Sequence, residues 1–401
     1  MSDFVFSGLK VVDCATVIAA PAAAMMLADF GADVIKIETP GEGDMLRMLS
    51  MFVPDGAENW FWDLDGRNKR GIVLDFKNPD ALEVLHKLAA ECDVFITNHP
   101  YSIREKFGLT YEALNPLNPK MIYASLTAYG EEGEEKKRKG FDQLAYWGRS
   151  GLMDLIRQPG TRPTQCLPGM GDHPTGVALY ASIVTALLQR ERTGKGAKVH
   201  TSLLANGLWS AAGMAQGIMA GGSMTEHRER ARVSPAMMRP YQTSDDRWLQ
   251  FNMIRDEALF TRLVIALGIP ELLSDERFAD FELHFEHREA LGDIIQDIVK
   301  TKTTADWMAI FESHELPINL AALVEDTPKD PQILLNKMAV VPEDSGIKSP
   351  LVINHPLKVS SAPQVGPKRG PELGEHADEI LRELGYADDD IARLREEGAL
   401  G

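Results

Sequence analysis

The sequence is short of cysteine, of positive charge and of apolar runs that could cross a bilayer. Its three cysteines, Cys14, Cys92 and Cys166, are odd in number, widely spaced and outside any CxxC or Cys/His cluster. That pattern speaks against a disulfide framework and a zinc site, and it fits a reducing cytoplasm. The longest apolar stretch, Cys14 to Ala28, follows Asp13, is interrupted by Pro21 and is too short to span a membrane. It reads as the end of a buried strand, a turn and a helix. Lys and Arg number 42 against 59 Asp and Glu, a net charge of −17, so the overall field repels nucleic acids and anionic membrane surfaces. An anionic ligand would need a local basic patch. Also missing are a GxGxxG after a strand, GxxxxGK[ST], HExxH and GxSxG, which takes weight from the common nucleotide-binding and hydrolase classes. There is no internal repeat or heptad run, hence no solenoid or coiled coil.

What is present is the composition of an ordinary globular protein. The chain has 401 residues, 44% hydrophobic and 25% charged, enough for one large domain plus a smaller one, or two of ordinary size. Leu9 to Cys14 is largely apolar, Pro21 opens a helix that Gly31 stops, and Val34 to Ile37 is apolar again, which predicts a βαβ unit. The alternation continues with a strand at Ile72–Leu74, a helix opened by Asn78-Pro79 and ending near Cys92, and strands at Val94–Thr97 and Ile122–Leu126. Such a pattern gives an α/β fold, a mostly parallel sheet covered on both faces. A long helix is expected over Pro174–Arg190, then a strand at Ala197–Thr201 and a small-residue helix over Leu203–Ala220. From Gly221 to Val233 the chain turns polar and charged, which places a domain boundary there. Tyr241 to about Pro331 reads as a smaller α+β unit with a strand around Trp248–Asn252. Ser349–Lys368 reads as extended connection, and helices over Gly374–Leu384 and Asp388–Glu397 close the chain.

The most informative local segment is Gly169-Met170-Gly171-Asp172-His173-Pro174-Thr175-Gly176. Its glycines let backbone approach a ligand closely, and Asp172 stands where a helix begins, whose N-terminus is expected to keep the carboxylate ionised. An Asp in this pattern is normally an N-cap, with a carboxylate for chemistry as the other reading; His173 alone is likewise more often structural than catalytic. Two basic runs stand out in so acidic a chain. Arg67-Asn68-Lys69-Arg70 reads as a phosphate site or as a solvated loop. Lys136, Lys137, Arg138 and Lys139 follow four glutamates and could pair with them. The turn Glu38-Thr39-Pro40-Gly41-Glu42-Gly43-Asp44 ends a strand at the sheet edge where ligand sites gather.

Taken in order, many segments resemble the family III CoA-transferases, the group of the formyl-CoA:oxalate and carnitine CoA-transferases. They are Leu9-Lys10-Val11-Val12-Asp13, Ala20-Pro21, the run Leu27-Ala28-Asp29-Phe30-Gly31-Ala32-Asp33-Val34-Ile35-Lys36-Ile37-Glu38, Asn68-Lys69-Arg70, Gly108-Leu109, Tyr123-Ala124-Ser125 and Gly140-Phe141-Asp142. Further along come Asp172, Arg192-Thr193-Gly194-Lys195-Gly196, Asp275-Glu276-Arg277-Phe278, Leu373-Gly374-Glu375-His376 and Leu384-Gly385-Tyr386. The resemblance implies a Rossmann-like large domain made by residues 1–225 and completed by 331–401, a small α+β domain over 226–330, and an interlocked homodimer. It implies transfer of CoA from an acyl-CoA thioester to a free carboxylic acid, with CoA thioester as substrate, no tightly bound cofactor and no metal. Asp172 would be the nucleophile, passing through a mixed anhydride.

CoA contacts carried over from the family fall on Val17, Ile18, Ala19, Lys69, Arg70, Asn98 and Lys106. Gly171, His173 and Trp62 are candidate substrate contacts; Trp60, Trp62, Tyr146 and Met214 read equally well as acyl pocket or as core packing. There are departures. The usual Asn-Phe-Arg-Pro-Gly is here Asn98-His99-Pro100-Tyr101-Ser102, and Lys106 stands where Arg is common, so a bidentate phosphate fork is lost. Phe141 precedes Asp142 where the related α-methylacyl-CoA racemases carry His, which leaves a two-base racemase without a partner. Ile18-Ala19-Ala20-Pro21 and Gly171-Asp172-His173 look most like the branch acting on 2-hydroxy acids and arylacrylates, which includes the 2-hydroxyisocaproate and cinnamoyl/phenyllactate enzymes. The other readings are the racemase and a catalytically silent CoA-binding protein.

Overall fold

Six short, largely apolar segments pair into one parallel sheet in the order β3-β2-β1-β4-β5-β6. They are β1 (Lys10–Cys14), β2 (Asp33–Glu38), β3 (Arg70–Val73), β4 (Val94–Thr97), β5 (Ile122–Thr127) and β6 (Ala197–Ser202). The computed structural model describes residues 4–52, 59–158, 160–225, 228, 234–252 and 257–401. Between the strands run α1 (Ala19–Asp29), α2 (Trp60–Asp65), α3 (Pro79–Glu91), α4 (Tyr101–Lys106), α5 (Tyr111–Leu114), α6 (Leu152–Leu155) and α7 (Asp172–Thr193). This is the α/β sheet that the alternation of segments predicts. β1 pairs with β2 on one side, Val12 opposite Ile35, and with β4 on the other, Val12 opposite Phe95. The strand order reverses there, so the loops leaving β1 and β4 open a crevice at the carboxyl edge.

Successive strand residues feed opposite cores, as the pleat requires. Val11, Val34, Val94, Ile96 and Ile122 join α1 and α7 on one face. Val12, Ile35, Ile72, Phe95 and Tyr123 join α3 and the last helices, through Ile380, Leu381, Ile391 and Leu394, on the other. Every residue of α1 is buried; its first turns are alanines and Pro21, which let neighbouring elements approach closely there, while Met25, Met26 and Leu27 fill the core further along.

By contact the chain divides into two units, one of residues 1–157, 162–216 and 331–401, the other of 158–161 and 217–330. The second carries an antiparallel sheet of β7 (Pro240–Gln242), β8 (Trp248–Phe251) and β9 (Ile318–Leu320). Its core includes Tyr241, Phe251, Leu263, Trp307 and Phe311. Much of the polar stretch between Gly221 and Val233 lies outside the described residues. The expected helix over Leu203–Ala220 is two helices, Leu203–Ser210 and Ala212–Met219.

α7 begins at Asp172, two residues before the expected Pro174, and its N-cap is Gly171 with no side-chain capping bond. α7 packs on α1 through Gly176, where an added Cβ would stand 2.7 Å from the Ala19 carbonyl oxygen and 3.2 Å from Ala22 Cβ. Val at this position gains less than about 1 kcal/mol of helix propensity, while overpacking against backbone costs about 1–3 kcal/mol. Gly176→Val is therefore expected to lower the midpoint of thermal unfolding, and an unchanged or raised midpoint would show that the two helices do not meet so closely.

Candidate active site

The site is built from the loop between β1 and α1. Both backbone polar groups of Thr16 are held by Asn98, which follows β4: its amide oxygen accepts from Thr16 N at 2.9 Å and its amide nitrogen donates to Thr16 O at 2.7 Å. Asp44, in the turn after β2, accepts from Thr16 Oγ1 at 2.9 Å and from Val17 N at 2.8 Å. Val17 has φ +69°, a left-handed conformation that a β-branched residue rarely adopts.

Beside this loop opens a cavity of about 400 Å³. Val17, Ile18 and Ala19 line it at the start of α1, with Asn98 and His99 from the end of β4, Thr127 from the end of β5, the basic run Lys136–Lys139, Phe141 and Asp172. Of the basic run, Lys137 reaches Glu105 at 3.0 Å and Arg138 pairs with Glu135; the Lys136 ammonium lies 5.1 Å from the centre of the Tyr101 ring. These exposed pairs are weak, so the run remains a source of positive potential at the cavity wall. Burial, followed by the nearby Lys36 charge, pushes His99 down to about 4, which keeps its imidazole neutral.

Asp172 owes its placement to the loop before α7. Asp142 Oδ2 accepts from Gly169 N at 3.0 Å and Gly171 N at 3.1 Å, and Gly169 takes φ +88°. At Gly171 any Cβ would collide with the Tyr146 ring at 2.6 Å, so only glycine fits. Asp172 is 8% exposed. Burial, with the Asp142 carboxylate adding to it, raises its pKa to about 7, offset in part by His173; this runs against the expectation that the helix N-terminus holds the carboxyl ionised, because burial outweighs the helix end. His173 sits between two acceptors, its Nδ1 3.2 Å from Gly169 O and its Nε2 3.2 Å from Asp65 Oδ2. Only the imidazolium donates to both. Burial opposes that charge, but Asp65, then Asp172, raise the His173 pKa. Among the described residues no group of three or more His, Cys, Asp or Glu side chains is placed to hold a metal, and no helix is long and apolar enough to cross a membrane.

Residues 6–377 match the family described as CoA-transferase family III. The chain belongs to that family. It is 32% identical over 392 residues to the (R)-2-hydroxy-4-methylpentanoate CoA-transferase of Clostridioides difficile, covering 97% of this chain and 98% of that protein. It is also 32% identical over 406 residues to the cinnamoyl-CoA:phenyllactate CoA-transferase of Clostridium sporogenes, covering 98% and 96%. A CaiB/BaiF family protein from Brucella suis has the same fold, with a TM-score of 0.84 at 31% identity over 96% of this chain and 100% of that one. The protein is thus a CoA-transferase that moves CoA from an acyl-CoA to an acid.

In this family III enzyme the fold gathers Val17, Ile18, Ala19, Asn98 and Asp172 on one cavity, with Gly171 and His173 flanking Asp172 in sequence. It does not bring Lys69, Arg70, Lys106 or Trp62 to that cavity. Lys69 is buried and donates to Asp13 Oδ2 and Pro21 O, each at 2.9 Å. Arg70 binds Asp33, Glu379 and Glu383. It opens β3 and so lies at the amino edge of the sheet, away from the crevice. Lys106 lies against the Phe107 ring at 4.9 Å. Trp62 packs with Ile18 and Leu46 beneath the loop, with the Arg47 guanidinium 3.7 Å from its ring centre. Tyr146 is core, and Met214 is exposed. Sequence reasoning left the basic residues at 136–139 undecided, with four cations immediately before Gly140-Phe141-Asp142 as the available signal, and it missed His99, which lines the cavity.

The raised Asp172 pKa has a consequence for stability. Its proton is held more tightly in the folded state, up to about 7, than at the ordinary value of 3.8. Folding stability is therefore lost as pH rises from about 4 to about 7 and the buried carboxyl ionises. Asp172→Asn is expected to stabilise the protein by on the order of 1–3 kcal/mol at pH 8 and to bring no gain near pH 4. Urea unfolding at the two pH values tests this; equal effects at both would show that Asp172 ionises normally.

Proposed function

We propose that Asp172 carries the transfer as an aspartyl mixed anhydride. One carboxylate oxygen attacks the donor thioester carbonyl, the C–S bond breaks, and CoA leaves as thiolate. The acceptor carboxylate then attacks the aspartyl carbonyl and displaces the donor acid. CoA thiolate attacks the acceptor's acyl carbon, forming the new thioester and freeing Asp172. A Ser or Cys nucleophile would give an ester or thioester that a carboxylate displaces poorly, whereas an anhydride has a carboxylate leaving group. The observation that supports this reading most is that Asp172 is buried, makes no capping bond and lines the cavity.

CoA phosphates, in a chain of net charge −17, require local cations, and Lys136–Lys139 on the cavity wall meet that need better than the paired Lys69 and Arg70. Val17, Ile18, Ala19 and Asn98 would meet CoA nearer the reacting thioester, with Gly171 and His173 beside the acyl group. Names of the relatives above and the Gly171-Asp172-His173 sequence support a 2-hydroxy acid or arylacrylate as acceptor. The proposed assembly is an interlocked homodimer with residues 226–330 as a smaller domain. Large apolar side chains left on the large unit's surface, Trp209 at 81%, Leu335 at 81% and Val341 at 72% exposure, support a covering partner. Three free, buried cysteines fit a cytoplasmic setting.

Incubation with an acyl-CoA panel followed by hydroxylamine is expected to leave a hydroxamate on the peptide containing Asp172. Asp172→Ala should form none and lose on the order of 10³-fold or more in kcat. An adduct elsewhere, or an active alanine variant, would sink the mechanism. Lys136→Glu combined with Lys137→Glu is expected to raise KM for acyl-CoA about tenfold or more, about 1.4 kcal/mol of binding, with kcat nearly unchanged. An unaltered KM would move the phosphates off this wall.

A further inference from the structure

We propose that Asp44, paired with Lys36, is a positioning residue that clamps Val17 in its left-handed conformation and thereby sets the loop that receives CoA; this rests on the reading of the cavity given above. A β-branched residue at φ +69° stores backbone strain, which persists only where the surroundings over-determine it. Here they do. Asp44 Oδ1 accepts from Val17 N, Thr16 Oγ1 and Leu46 N at 2.8, 2.9 and 3.0 Å. Its other oxygen lies 2.6 Å from Lys36 Nζ, and that ammonium also donates to Ala15 O. With Asn98 on Thr16 N and O, the backbone groups Ala15 O, Thr16 N, Thr16 O and Val17 N are all held by side chains from elsewhere in the fold.

Both charges are buried, Lys36 and Asp44 each having 1% side-chain exposure. A buried ion pair is a costly way to gain stability, and an apolar pair of similar size would serve packing as well. What an apolar pair cannot supply is an acceptor for Val17 N–H. Burial opposes the Asp44 charge, but Lys36 and the backbone N–H donors hold its carboxyl below the ordinary value, so it stays an acceptor. The simpler alternative is that Asp44 only ties down its own turn, through Asp44 N to Glu38 Oε1 and through Leu46 N. The two readings differ at Val17: glycine takes a positive φ without strain, so a clamp on residue 17 becomes dispensable once that residue is glycine.

The experiment is titration calorimetry of the full chain with CoA itself, in the wild-type and Val17→Gly backgrounds. Asp44→Ala is expected to weaken CoA binding at least tenfold beside Val17 and no more than threefold beside Gly, whatever Val17→Gly costs alone. Equal losses in the two backgrounds would overturn the proposal and leave Asp44 a tie for its own turn. Should Asp44→Ala not fold, Asp44→Glu keeps the charge beside Lys36 but displaces the oxygen, and it carries the same comparison. The Lys136→Glu, Lys137→Glu variant in the same titration separates the failures. If it weakens CoA and Asp44 variants lose equally in both backgrounds, only the clamp is wrong; if it leaves CoA affinity unchanged, the cavity reading falls and the clamp falls with it.

Discussion

The large unit depends on the contact between α1 and α7. α1 is enclosed on every side and its first turns are made of small residues, and α7 meets it there through Gly176, with the Ala19 carbonyl at the point of closest approach. That approach brings the first turns of both helices to the same place, the crevice where the strand order reverses between β1 and β4. Asp172 lies one turn before Gly176, and Val17 to Ala19 open α1. Their sharing of one cavity follows from packing alone, before any chemistry is considered.

The same packing forces the charges around it. A short, tight loop into a buried helix leaves backbone groups that water cannot reach, and each needs a partner. Lys36, Asp44 and Asn98 provide those partners from three neighbouring segments. Lys69 does the same deeper in, joining Pro21 O and Asp13. Asp29, at the far end of α1, takes Arg67 at 2.7 Å. Lys36, Arg67 and Lys69 are thus internal, each matched to a carboxylate, so two cations of the basic run at 67–70 face inward rather than a ligand. The cations at 136–139 differ: they line the cavity and their carboxylate partners are exposed.

This difference marks what could be read from the sequence. The βαβ start, the parallel sheet, the long helix after Gly171 and the place of Asp172 were legible, because strand alternation, glycine stops and a run of ordered family segments all constrain them. The roles of Lys69 and Arg70 were not. A basic run looks the same whether it faces a ligand or a buried carboxylate, and Asp13 and Asp33 stand far from it in sequence. Trp62 was ambiguous for the same reason: an aromatic residue suits an acyl pocket and a core equally well, and only its packing against Ile18 and Leu46 decides. The N-cap reading of Asp172 failed by one residue, since Gly171 takes the cap and frees the carboxylate.

A carboxylate that is to act as nucleophile faces opposed demands. It must be ionised to attack, yet a weakly basic anion attacks poorly, so the useful pKa lies near the working pH. Burial lifts Asp172 to about 7, while His173 pulls the other way. Burial that raises basicity also withholds water, and water is the reactant that would waste an anhydride. In the proposed mechanism one physical cause would therefore serve nucleophilicity and protection together. The imidazolium beside it, fixed by Gly169 O and Asp65, opposes the rise that burial and Asp142 impose on Asp172 and so favours its ionised form.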